Sequence, residues 1–221
     1  MYFGFMIFSC SRSTCIAVIM LLLVGWAGCK TVPRNAAVSG PEQQIVQADG
    51  DRYTADTAQS YIRWTGSRPG KKHDGTLRLR SGALTVNNGQ ITGGRFEIAV
   101  ASLTPQDQRK KGNELLRKHL LGEDFFGVAT YPVILFEIAS VVRQENAAVH
   151  TVTGNLVLRN VTKSISFPAG IAMKDGTLTA DATFSFNRTD WGLSYGNDKS
   201  LGNWFISPVV AIKLHLSAQK L

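Results

Sequence analysis

The chain has 221 residues, 44% of them hydrophobic and 18% charged, which excludes a disordered or collagen-like protein and allows one sizeable core. Its 21 glycines, many of them set between short apolar runs, favour a β-rich fold with tight turns. The formal net charge is +8, and all three cysteines (Cys10, Cys15 and Cys29) lie at or before position 29, which excludes disulfides and thiol chemistry from the rest of the chain.

Residues 1–28 read as an export signal: one charge, Arg12, and then the apolar run Ile16 to Trp26. That run is shorter than the roughly 20 residues that span a bilayer. Ala27-Gly28 before Cys29 resembles the lipobox of bacterial lipoproteins, although Trp26 stands where an aliphatic residue is usual. The resemblance implies cleavage before Cys29, acylation of that cysteine and a membrane anchor. Cleavage nearby without lipidation, leaving a soluble periplasmic protein, is the alternative. Loss of the leader removes Arg12 and no acid, so +8 falls to +7. Export argues against nucleic acid as the partner of this basic surface and favours anionic headgroups or lipopolysaccharide. A solvated surface with no specific partner is the plainer reading.

Residues 29–51 hold Pro33, Pro41 and few large apolar side chains, and read as a lipidated cysteine followed by a flexible linker. One domain then spans 52–221. Period-two alternation dominates it. After an opening strand near Tyr61 to Thr65 come Thr76–Arg80, with Leu77 and Leu79 on one face, and Arg95–Val100, with Phe96, Ile98 and Val100 together. Gln106 to Leu121 lacks alternation and reads as a helix, with Pro105 at its start, Gly122 after its end, and Leu115, Leu116, His119 and Leu120 at helical spacing. Val133–Ile138, Thr153–Arg159, Thr162–Phe167, Leu178–Phe186 and Val210–Leu216 complete eight strands. Asn87-Asn-Gly89, Glu145-Asn146, Asn160 and Asp175-Gly176 supply turns between them. The fold class is therefore all-β, an eight-stranded antiparallel barrel with one helical segment near residues 106–121. A β-sandwich is the alternative that the pattern leaves open.

Several motifs, in order, carry a family resemblance. They are Tyr53 to Trp64 with His73-Asp-Gly75; Gly93-Gly-Arg-Phe-Glu-Ile98; His119-Leu120 followed by Asp124-Phe-Phe126 and Tyr131-Pro132; Val152-Thr-Gly-Asn-Leu156 with Asn160-Val-Thr-Lys163; and Arg188-Thr-Asp-Trp-Gly192 with Tyr195-Gly196. The chain resembles the YceI-like family of bacterial periplasmic proteins from Tyr53 to Gln219. The resemblance implies a lipocalin-like barrel that binds a polyisoprenoid, such as an isoprenoid quinone or a polyprenyl phosphate, for storage, sequestration or transport in the envelope. Gly127 and Asn187 depart from the family's usual acidic residues at those positions.

The residues expected to line the ligand space are Phe96, Ile98, Val100, Phe136, Ile138, Leu156, Leu158, Phe184, Phe186, Arg188, Trp191, Ile212 and Leu214. Apart from Trp191 they share inward strand parity, and without the resemblance the apolar ones read as core. Arg188 has the parity of Phe184 and Phe186. It either meets a ligand carbonyl or phosphate, or is a structural arginine tied to Asp190 or to loop carbonyls. His119 reads as a hydrogen-bonded packing residue, with Asp124 bonding backbone N–H groups or His119; an acid–base pair or half a metal site is the alternative. No catalytic motif and no metal-ligand spacing is present, so the expectation is a binding protein with no enzyme activity, no metal and no cofactor other than the bound lipid. An envelope stress or interaction protein, whose basic surface binds a membrane partner, is the alternative, and a lipid-modifying enzyme the least favoured.

Overall fold

The computed structural model describes residues 35–46, 49–145 and 148–221. The signal-peptide segment, Cys29 and the first part of the expected linker lie outside the described residues. Ten strands are described: β1 (Val38–Gly40), β2 (Asp51–Ala55), β3 (Tyr61–Arg68), β4 (Lys71–Asn87), β5 (Gln90–Pro105), β6 (Val133–Arg143), β7 (Val149–Leu158), β8 (Val161–Lys174), β9 (Thr177–Asn187) and β10 (Val209–Lys220). One α-helix, α1 (Lys110–Leu121), separates β5 from β6.

The strands close into an eight-position antiparallel barrel, not a sandwich. Each strand from β3 to β10 pairs with the next, and β10 returns to pair with β3 through Ala211–His215 and with β2 through Ala218–Lys220. β2 and β3 share one place in the wall, because both also pair with β4. The chain steps out between them at Asp56–Ser60, and the buried Ser60 Oγ accepts a hydrogen bond from Ser217 N at 3.1 Å. Two-residue turns join the hairpins at Asn88-Gly89, Arg159-Asn160 and Asp175-Gly176, and both residues of each have positive φ. That is the turn whose twist matches paired strands, which is why each of the three carries Asn or Gly.

The β4–β5, β6–β7 and β8–β9 turns define one end of the barrel, and α1 with the 122–132 and 188–208 connections defines the other. Tyr53, Leu84, Val86, Leu178 and Ala218 pack together at the turn end. Trp64, Leu77 and Leu103 pack at the opposite end with Leu116 and Leu120 of α1.

Two expectations are corrected. The linker is not free throughout. β8 and β9 pair only at Ala169–Lys174, and where they part, residues 36–40 fill the opening. β1 pairs with Ser164–Ser166 of β8, Ala37 N donates to Ser185 O of β9 at 2.7 Å, and Ser185 N donates to Asn35 O at 3.0 Å. The Asn155 side chain, only 1% exposed, then grips Gln43 by exchanging two 2.8 Å hydrogen bonds with its backbone. Backbone groups left without a partner by the divergence of β8 and β9 account for this pairing.

The helix begins at Lys110 rather than Gln106, and Pro105 ends β5 instead of opening the helix. Residues 106–108 are held by other groups. Gln106 N donates to Asp74 O, Asp107 Oδ2 lies 2.8 Å from His73 Nδ1, and Asn113 exchanges hydrogen bonds with the Gln108 backbone. Leu115 faces solvent, while Leu116 and Leu120 face the barrel.

Candidate functional site

The barrel is hollow. A cavity of about 800 Å³ extends from Leu178 and Ile91 near the turn end to Leu201 and Trp204 at the other end, hereafter the mouth. That volume falls in the upper part of the range for small-molecule sites. Ile98, Phe136, Leu156, Ile212 and Leu214 line it and keep intermediate exposure, although they point inward, because they face the empty lumen.

Aromatic rings lie along the wall rather than across the space. Phe136 of β6 reaches Phe167 of β8 (ring centroids 5.9 Å apart), and Phe167 stacks on Phe184 of β9 at 4.2 Å. Phe136 can cross the intervening strand because Gly154 of β7 has no side chain there: a Cβ would stand 2.6 Å from Phe136 Cζ. Gly82 of β4 does the same for its cross-strand partner Phe96, whose Cδ1 would lie 2.5 Å from a Cβ. Ring offsets of this kind contribute packing energy without closing the lumen.

Arg188 opens a 3-10 turn (Arg188–Trp191) after β9 and is, among the described residues, the one buried charged side chain, 3% exposed. It does not pair with Asp190, whose Oδ2 accepts from Ser39 Oγ at 2.6 Å. Its guanidinium donates to four carbonyls of the mouth loop instead: Nε to Ser207 O at 3.1 Å, Nη1 to Leu193 O, and Nη2 to Tyr195 O at 2.9 Å and Ile206 O at 3.0 Å. Its ring-facing side lies over Phe125, 5.6 Å from the centroid. Four of five N–H donors are thereby satisfied by neutral acceptors, and the charge has no carboxylate against it. Burial lowers its pKa, but an arginine remains a cation at neutral pH.

Around Arg188 the mouth is aromatic. His119 packs edge-on between Phe125 (5.1 Å) and Tyr195 (4.9 Å). Asp124 is exposed, and the His119–Asp124 pairing considered from the sequence is not made. Among the described residues no cluster of three His, Cys, Asp or Glu side chains is arranged to hold a metal ion.

Of the sequence-identified residues, Phe96, Ile98, Phe136, Ile138, Leu156, Leu158, Phe184, Phe186, Arg188, Ile212 and Leu214 converge on this cavity. Val100 and Trp191 do not reach it. Val100 is 1% exposed, within the packing that includes Ile134 and Leu158. Trp191 is fully buried and braces the 3-10 turn against β7, its Nε1 donating to Leu156 O at 2.9 Å. Phe167, Leu84 and Leu178 also line the cavity; Phe167 and Leu178 end and open two of the expected strands, and Leu84 lies four residues beyond a third, so strand parity would have found them. Phe125, Tyr195 and Leu116 come from irregular segments and the helix, where no periodicity points to a lumen.

The YceI-like domain model matches residues 53–218. The chain belongs to the YceI-like family. Two solved structures share the fold of this YceI-like chain. Burkholderia cenocepacia BcnA is 20% identical, with a TM-score of 0.61, over 74% of this chain and 98% of that one. A polyisoprenoid-binding domain from Saccharophagus degradans, implicated in plant cell wall breakdown, is 16% identical, with a TM-score of 0.60, over 76% of this chain and 98% of that one. No curated protein matches this YceI-like chain at a significant level.

Proposed function

We propose that this protein binds a long apolar lipid, a polyisoprenoid, inside its barrel and stores, sequesters or carries it in the bacterial cell envelope, without chemical turnover. The observation that carries the reading is the hollow apolar lumen with one buried cation at its mouth. Each methylene transferred from water into such a lumen gains about 0.8 kcal/mol, so a tail of several isoprene units needs no polar contact to bind. Family membership and the fold shared with a domain described as polyisoprenoid-binding support the same ligand class.

In this reading the tail lies toward Leu178 and the oxygen-bearing head stays at the mouth. There the remaining Nη1 N–H and the charge of Arg188 favour a carbonyl or phosphate oxygen. The protein is anchored in the periplasm through acyl chains on Cys29.

Mass spectrometry of an organic extract of the purified protein tests the proposal. A copurified isoprenoid is expected, at a level approaching one per protein. A barrel that is consistently empty, and that takes up no added isoprenoid quinone or polyprenyl phosphate, would overturn it.

A further inference from the structure

We propose that the mouth of the barrel is a membrane-docking surface that fits a bilayer rich in anionic phospholipid. Three segments form it and are joined by side-chain contacts. The β3–β4 turn meets the pre-helix segment where Lys71 Nζ donates to Gln108 Oε1 at 3.2 Å, and meets the mouth loop where Arg68 Nη1 donates to Asn203 O at 3.2 Å. The helix meets the same loop where His119 packs on Tyr195.

Two features set this rim apart from the other end of the barrel, where the exposed apolar residues Val142, Met173 and Leu221 do not line the cavity. The first is apolar exposure. Trp204 is 76% exposed and Leu201 45%, and both also line the cavity, so apolar surface runs unbroken from solvent into the lumen. Trp64 and Trp191, by contrast, are buried. Leu115 projects from α1 at 62% exposure, with Lys111 and Lys118 on the same helical face. The second feature is charge. Residues 68–73, 106–132, 159–160 and 188–208 carry eleven lysines and arginines against six acids, Asp107, Glu114, Glu123, Asp124, Asp190 and Asp198. Asp107 is paired with His73, and Asp198 caps Ser200 N. At the turn end, residues 49–52, 87–90, 143–149, 174–177 and 219–221 carry four of each sign.

An exposed tryptophan and leucines within a ring of lysines match the chemistry of a membrane interface, where the indole sits at headgroup level and the cations meet anionic lipid. Docked this way, a lipid passes between bilayer and lumen along Leu201 and Trp204 without crossing water. The docking rests on the lipid-binding reading for its purpose but not for its occurrence.

The test is quenching of Trp204 fluorescence by brominated phospholipid in the full chain, reconstituted into vesicles of phosphatidylcholine with or without phosphatidylglycerol. Subtracting the signal of a Trp204→Phe variant removes the contribution of the other tryptophans. Strong quenching that requires phosphatidylglycerol, and that falls severalfold in a Lys72→Gln, Lys111→Gln, Lys199→Gln variant, is expected, since each cation near an anionic surface changes affinity about fivefold. Emission of the buried Trp64 and Trp191 reports whether that variant is folded; if it is not, added salt replaces it and must weaken the quenching to the same degree. Trp204 emission unchanged by vesicles, quenching indifferent to charge, or Trp204 shielded equally without vesicles, as a second copy would do, each overturns the proposal. A protein that carries no extractable lipid yet shows the quenching fails as a lipid store and keeps the docking surface.

Discussion

The Phe136 ring passes over Gly154, and the missing side chain on β7 is what lets a ring from β6 reach Phe167 on β8. The aromatic side chains of this barrel thus clad its wall, and the lumen stays open because a glycine occupies the strand between them. A side chain at position 154 would meet both the Phe136 ring and the β6 backbone.

Gly154→Val should therefore push Phe136 into the lumen and strain the β6–β7 pairing, lowering stability by about 1–3 kcal/mol. Its larger effect falls on capacity: lipid recovered per folded protein should drop severalfold. Thermal unfolding and quantitative extraction read the two effects separately, and a variant with unchanged lipid content would show that the ring does not set the space.

Arg188 organises the mouth through the carbonyls of Leu193, Tyr195, Ile206 and Ser207. Arg188→Met keeps much of the stem but leaves four carbonyls without their donor. A loss of about 3 kcal/mol is expected, since a buried acceptor left unpaired costs about 1–3 kcal/mol and three of the four carbonyls are only partly buried. Amide exchange should accelerate in residues 193–207 before it does in the strands. Arg188→Lys should not restore protection, because a point ammonium cannot reach carbonyls spread around a planar fork.

The pairing of Asn155 with Gln43 ties the N-terminal segment to the wall. Asn155→Ala removes two hydrogen bonds at a buried position, an expected loss of about 2 kcal/mol. Residues 35–46 should become the first site of limited proteolysis, with the rest of the barrel still resistant. Cleavage at the same rate in both proteins would assign the hold to β1 alone.

Asp56, in the step between β2 and β3, has its pKa lowered first by the backbone N–H of Gln59, then by that of Ala58, with the Gln59 side chain adding to them. A carboxyl with a depressed folded pKa contributes stability at pH values above the ordinary carboxylate range. That contribution is lost as pH falls through the folded value. Asp56→Asn keeps an acceptor for the two backbone donors but cannot titrate. Melting temperature against pH should therefore fall less steeply on the acid side for the variant than for the parent, and parallel curves would assign the acid sensitivity elsewhere.

The sequence by itself determined eight of the ten strands, β3 to β10, the turn chemistry and the inward parity that collects Phe96, Ile98, Phe136, Leu156, Phe184, Ile212 and Leu214, since alternation and turn residues express local backbone geometry. Tertiary structure decided what has no local signature. Whether inward side chains fill the lumen depends on where rings lie relative to glycines on neighbouring strands, as with Phe136 and Gly154. Trp191 left the lining for the wall because its N–H found the Leu156 carbonyl across the chain. The three residues of β1 carry too short a pattern to read as a strand, and they became one because β8 and β9 diverge and leave backbone groups that need partners. Arg188 was legible as a buried charge but not as the centre of the mouth, because its acceptors are backbone carbonyls, which every residue possesses and which only folding brings within reach.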